Sequence, residues 1–123
     1  TSVIPNLLVE EIAQALQVSS ARKLYVCNIT TQPGETEGYT VQDHVRAIND
    51  HLGHRVFTNV LYNTNWGLPL PEQDGVHWVK PGPNDPLYRL IGADCIDESG
   101  AGLRHDPAKL AKAVMSYFSS QDI

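Results

Sequence analysis

At 123 residues the chain has the length of one domain, large enough to bury a core without disulfides or metals. Its 41% hydrophobic and 19% charged residues are ordinary globular usage, which excludes disordered, fibrous and disulfide-stapled classes. The net charge is −5 and the nine Lys and Arg are scattered, so no basic run offers a surface for nucleic acid or an anionic membrane.

Thr1 opens directly in an apolar segment without Met, and the chain reads as a fragment of a longer one whose residues 1–123 form a single α/β unit. From Ser2 and Pro5 onward, Leu8, Ile12, Ala15 and Leu16 recur at helical spacing. After Ser19 and Ser20, the run from Lys23 to Asn28 predicts a strand buried on both faces. Thr30 to Tyr39, with Pro33, Gly34 and Gly38, predicts a loop. Thr40 with Asp43 three residues on is a capping-box start, and Val41, Val45, Ile48 and Leu52 line one helix face until Gly53 closes it.

Arg55 to Asn63 predicts the next strand, and the Gly/Pro-rich stretch from Trp66 to Pro86 holds a short strand at Val76 to Val79. Leu90 to Ile96 predicts a last strand, interrupted at Gly92. Asp106-Pro107 supplies an N-cap and a proline at the first helical position, followed by a buried stripe of Leu110, Ala111, Val114, Met115 and Phe118. Strands alternating with amphipathic helices give an α/β class, a mainly parallel, doubly wound sheet with helices on both faces. Cys27 and Cys95 lie far apart in apolar strand contexts, as expected of buried reduced thiols. With no run of about 18 apolar residues and no leader pattern, neither membrane insertion nor export is expected, and the setting is cytoplasmic.

In open α/β sheets ligands bind outside the carboxyl ends of the strands, so the loops there come first. One is Asn28 to Thr36, whose Asn28, Thr31, Gln32, Glu35 and Thr36 bring amide, hydroxyl and carboxylate groups to a backbone bent at Pro33-Gly34. These groups either read a polar ligand or satisfy the loop's own backbone while Glu35 faces water. The other is Leu103 to Pro107, where Arg104 and His105 precede a helix whose free N–H groups and dipole favour an anion. Arg104 either clamps a phosphate or pairs with a surface carboxylate while Asp106 caps the helix. His44, in a first helical turn, points into the crevice or is packed; its seven-residue separation from His51 does not suit a helical metal pair. No nucleophile elbow, P-loop or G-x-G-x-x-G occurs, so catalysis has no direct sequence support.

The segment N-I-T-T-Q-P-G-E-T-E-G-Y-T-V-Q-D-H from Asn28 to His44 resembles the N-x-x-T-Q-P-G-E-T-x-x-Y-T-x-x-D-H stretch of the gluconeogenesis-factor family. The opening T-S-V-I-P-N-L-L and the late L-R-H-D-P-A-K-L-A are similar to that family in the same order. The resemblance implies a three-layer Rossmann-like fold related to the 2-phospho-L-lactate transferases, with roles in central carbon use and cell-wall growth and with UDP-sugars as ligands. It further implies that Asn28, Thr31, Gln32 and the following loop line a nucleotide-sugar crevice with Arg104, and that Thr1 and Ser2 lie at its phosphate side. The family's G-G-G-T-G and G-P-G-S-L-Y stretches fall upstream of Thr1, and a family tyrosine expected near Pro69 to Gln73 has no match.

The expectation is a non-catalytic regulator that binds UDP-N-acetylglucosamine or a similar nucleotide-sugar. The alternative is a phosphotransferase of the 2-phospho-L-lactate type, which would need Mg²⁺ held by a carboxylate such as Asp43 or Glu35. A third reading is a half-domain that forms a homo-oligomer through an exposed sheet edge.

Overall fold

A computed structural model describes residues 23–53, 55–100 and 102–121. The helical segment through Leu8, Ile12, Ala15 and Leu16, and the site candidates Thr1 and Ser2, lie outside the described residues. Strand β1 is Tyr25–Val26, helix α1 is Val41–Leu52, strand β2 is Asn59–Asn63, strand β3 is Arg89–Ala93 and helix α2 is Pro107–Gln121. The three strands form one sheet in the order β1-β2-β3, parallel throughout, with Tyr25 opposite Val60 and Val60 opposite Leu90. This is a partial Rossmann-like α/β domain, the fold that the family resemblance implied.

Adjacent residues on a strand face opposite ways, yet Val60 and Leu61 are both fully buried, so β2 is covered on both faces. α1 supplies one cover: Val41, Val45, Ile48 and Leu52 pack with Tyr25, Cys27, Phe57, Val60 and Val79. Burying a side chain such as Ile48 contributes about 1.5–3 kcal/mol. The helix begins as its sequence dictates. The Thr40 hydroxyl accepts from the Asp43 N–H and the Asp43 carboxylate accepts from the Thr40 N–H. It ends at Gly53, whose φ of 72° is cheap only for a residue without Cβ.

Strand limits are shorter than the apolar runs. β1 keeps only two residues of Lys23 to Asn28, although Cys27 still donates its N–H to Leu61. Val56 and Phe57 fall outside β2 because the buried Asn49 side chain takes both of their N–H groups and donates to the Phe57 carbonyl. Gly92 does not interrupt β3 but pairs with Tyr62 inside it, while Ile96 leaves the sheet and bridges to His105 instead. A Cβ on Gly92 would lie 2.6 Å from the Thr64 methyl group, so close side-chain packing, not a bulge, explains this glycine.

No helix lies among residues 64–88, so the expected α/β alternation is broken between β2 and β3. This segment instead straps back over the start of α1. Thr30 and Trp78 form an antiparallel bridge, Val41 donates to Lys80, and the buried Gln42 amide exchanges hydrogen bonds with Gly82 and Pro83. Residues 76–79 are held by that bridge and by the His77 N–H donating to the Thr31 hydroxyl, and do not form a strand.

α2 starts at the expected place, with Asp106 accepting from the N–H groups of Ala108 and Lys109. Its stripe is rotated from the expected one: Ala111 is exposed and Met115 is 69% exposed, whereas Tyr117 is buried and Leu110, Ala113, Val114 and Phe118 are half-buried. The i, i+3, i+7 series through Leu110, Ala113 and Tyr117 sets the inward face. Cys27 and Cys95 are free and buried, as expected, and burial pushes the Cys27 thiol up to about 12. Among the described residues no helix is long and apolar enough to cross a membrane.

Candidate functional site

The carboxyl end of β1 and the approach to α2 meet in one cleft of about 280 Å³, lined by Asn28, Ile29, Thr30, Gln32, Leu103, Arg104 and His105. Two segments more than 70 residues apart in sequence are thus joined at the position where parallel sheets bind ligands. His105 sits beside the Cys27 backbone at the end of β1 and bridges to Ile96 within its own hairpin. Burial lowers the His105 imidazole below its usual range, an effect that the Cys27 contact partly offsets, and this favours the neutral ring.

Arg104 stands on the second arm of a short hairpin. Asp97 donates its N–H to the Arg104 carbonyl, Asp106 donates to the Cys95 carbonyl, and Ile96 pairs with His105. The turn contains Gly100 and Gly102 at φ of 87° and 126°, backbone that side-chain-bearing residues rarely adopt. Arg104 is largely exposed, and its Nε donates to Asp97 at 3.1 Å. A guanidinium carries five donors, and the Nη groups have no hydrogen-bond partner among the described residues.

The anion preference expected of the α2 start is altered by its own cap. Asp106 already takes the N–H groups of Ala108 and Lys109, and Pro107 has none, so the carboxylate occupies the place of an incoming anion. The start of α1 is likewise spent on Thr40, Asp43 and the Lys80 carbonyl. Positive charge in the cleft therefore rests on the Arg104 side chain.

The other sequence candidates lie elsewhere. Thr31 is buried, and its hydroxyl donates to Gly75 and accepts from His77, which fastens the strap. Thr36 is buried and accepts from the Gln32 N–H, closing the turn that presents Gln32. Glu35 is exposed. His44 is 1% exposed, shares a 2.9 Å hydrogen bond through Nδ1 with the Thr40 carbonyl, and lies edge-on to Tyr39; burial lowers its affinity for a proton. Its Nε2 has no partner among the described residues. Asp43 spends one oxygen on Thr40 and the other on Arg46. As an α1 cap it is a poor fit to the Mg²⁺-holding role considered for it.

Sequence reasoning missed three polar groups at the carboxyl end of β2, beyond β3 and in the first turn of α2. Asn63, at the carboxyl end of β2, is 2% exposed; its carbonyl oxygen accepts from Cys95 and Asn65, and its amide donates to Asn65. Lys109 bonds Asp94, Glu98 and the Ile96 carbonyl in a network that Asn65 joins. Asp97 is the third. The only sequence signal for it was the E-S-G-A-G turn after Asp97, which marks a hairpin once both arms are seen.

A family model described as 2-phospho-L-lactate transferase CofD matches residues 1–74. The chain is 35% identical over 125 residues to the gluconeogenesis factor of Halalkalibacterium halodurans, a match covering 94% of this chain and 38% of that protein. It is 47% identical over 64 residues to the gluconeogenesis factor of Bacillus subtilis, covering 52% of this chain and 20% of the relative. Its fold is similar to the crystal structure of a UPF0052 family member from Bacillus halodurans, with a TM-score of 0.74 at 33% identity, covering 92% of this chain and 38% of that one. The chain therefore spans well under half the length of the relatives it matches.

Proposed function

Since the chain belongs to the 2-phospho-L-lactate transferase CofD family, whose matched relatives include proteins named gluconeogenesis factor, we propose that it carries part of a nucleotide-sugar site in a regulator of the gluconeogenesis-factor type. The ligand is a UDP-sugar, with UDP-N-acetylglucosamine as the reference compound, and its diphosphate lies against Arg104 while Asn28 and Gln32 hydrogen-bond its polar groups. The protein acts in the cytoplasm and couples central carbon use to cell shape and cell-wall growth. The observation that carries this reading is the meeting of Asn28, Gln32, Arg104 and His105 in one cleft at the end of β1. A guanidinium with free terminal N–H groups suits the oxygens of a diphosphate.

A second reading, a phosphotransferase of the 2-phospho-L-lactate type, is favoured by the description of the matching family. Calorimetric titration of UDP-N-acetylglucosamine into the chain and into Arg104→Ala, each with and without Mg²⁺, tests the first reading, and an assay that supplies an activated phosphoryl-group donor together with an acceptor tests the second. Saturable binding lost in the variant supports the regulator reading. Binding that the variant retains, or its absence in the unmodified chain, contradicts the placement at Arg104. Mg²⁺-dependent product formation supports the transferase.

A further inference from the structure

We propose that Asp97 is a positioning residue for Arg104, holding the Nε edge of the guanidinium so that the Nη groups are presented to the cleft. The proposal rests on the reading of that cleft as an anion site. Asp97 and Arg104 lie opposite each other on the two arms of the hairpin, one step beyond the Ile96–His105 bridge. Residues directly opposite in an antiparallel pair project to the same face. The Asp97 backbone N–H donates to the Arg104 carbonyl at 2.9 Å, and its carboxylate accepts from Arg104 Nε at 3.1 Å.

The carboxylate is itself anchored. Its second oxygen accepts from the Ser99 N–H at 2.8 Å, and its side chain is 13% exposed against 65% for Arg104. The more buried and doubly bonded partner is the acid, and the exposed one is the base. Hydrogen bonds to Ser99 and Arg104 hold the Asp97 carboxyl below the usual carboxylate range, so it stays charged at neutral pH. An ion pair this exposed adds little to folding. Its effect falls on the rotamers of a long side chain, whose immobilisation would otherwise be charged to ligand binding.

A counter-ion has an opposite possible role, because a carboxylate beside an arginine can compete with an incoming anion. The two roles differ in sign, and the contact through Nε alone favours positioning, since it leaves the terminal nitrogens free. The test uses Asp97→Asn, in which the amide oxygen still accepts from Ser99 but the charged acceptor for Arg104 is lost. A thermal melt within a degree or two of the unmodified chain confirms that the hairpin is intact.

In the ligand-free protein, a ¹⁵N spectrum of arginine side chains, with Arg104→Lys to assign the resonance, is expected to show Arg104 Nε–H shifted and protected from exchange. Asp97→Asn is expected to return it to the position of a free arginine. With UDP-N-acetylglucosamine or inorganic pyrophosphate as probe, Asp97→Asn is expected to weaken binding about two- to tenfold, the range set by freeing one long side chain. The double variant Asp97→Asn/Arg104→Ala should bind no more weakly than Arg104→Ala alone. An unchanged Arg104 resonance, additive losses, or tighter binding by Asp97→Asn would overturn the proposal. If the unmodified chain binds neither probe, the anion-site reading fails, and the arginine spectrum alone decides whether Asp97 orients Arg104.

Discussion

Replacing Asn63 by alanine should be among the most damaging polar substitutions in this chain. Its side chain is 2% exposed and makes three hydrogen bonds, accepting from Cys95 at 3.1 Å and Asn65 at 3.2 Å and donating to Asn65 at 2.7 Å. Cys95 is buried, and a buried N–H left unpaired costs about 1–3 kcal/mol. The two bonds to Asn65 lie nearer to water, which can replace them, so each adds only about 0.5–1 kcal/mol. The sum is about 2–5 kcal/mol, which in a domain of this size lowers the melting temperature by roughly 10–20 °C. Urea unfolding followed by circular dichroism measures it, with Asn59→Ala as the comparison, since that change removes only a 3.5 Å contact to Thr58. A loss below about 0.5 kcal/mol for Asn63→Ala would refute the claim that this side chain joins the β2 exit to the β3 exit.

Thr40→Ala should cost about 1 kcal/mol through loss of the α1 cap, measured by the same unfolding curves. Ile48→Ala, at a fully buried position between α1 and the sheet, should cost about 2–5 kcal/mol. Burial holds both His44 and His105 below their ordinary value of 6.5, so below that pH the unfolded chain takes up protons that the folded one refuses. Stability should therefore be highest above pH 6.5 and fall as pH drops from there through the depressed native values, and His44→Gln should reduce that slope in urea titrations between pH 7.5 and 5. Thr31→Val keeps the shape but removes the bonds to Gly75 and His77; a loss of about 1–2 kcal/mol, with increased amide exchange confined to residues 75–83, is expected.

What could be read from the sequence was what local chemistry decides. The α1 cap, its apolar stripe and its terminal glycine depend on residues within one helix, so Thr40, Asp43, Val41, Ile48 and Gly53 were legible in advance. The strand ends were not, because the apolar run continues past the last ladder pair: Phe57 is claimed by Asn49 and Ile96 by His105, partners seven or more residues away. α2 shows the same limit, since either of two neighbouring apolar stripes fits its sequence and packing selects the one through Tyr117, leaving Met115 in water. At the cleft, Asn28, Gln32 and Arg104 were identifiable as polar groups at the edges of apolar elements. Asp97, Asn63 and the strap on Thr31 were hidden, because each acts through backbone that only the tertiary fold brings near.

The central claim is that the cleft between the Asn28 loop and the Arg104 hairpin takes a nucleotide-sugar. Amide chemical shifts of the ¹⁵N-labelled chain, followed during titration with UDP-N-acetylglucosamine, test it at the level of single residues. Saturable shifts concentrated at residues 28–32 and 103–106, and abolished by Arg104→Ala, are the predicted result. Shifts centred instead on the separate pocket around Arg46 and Arg55, or persisting unchanged in the variant, would contradict it.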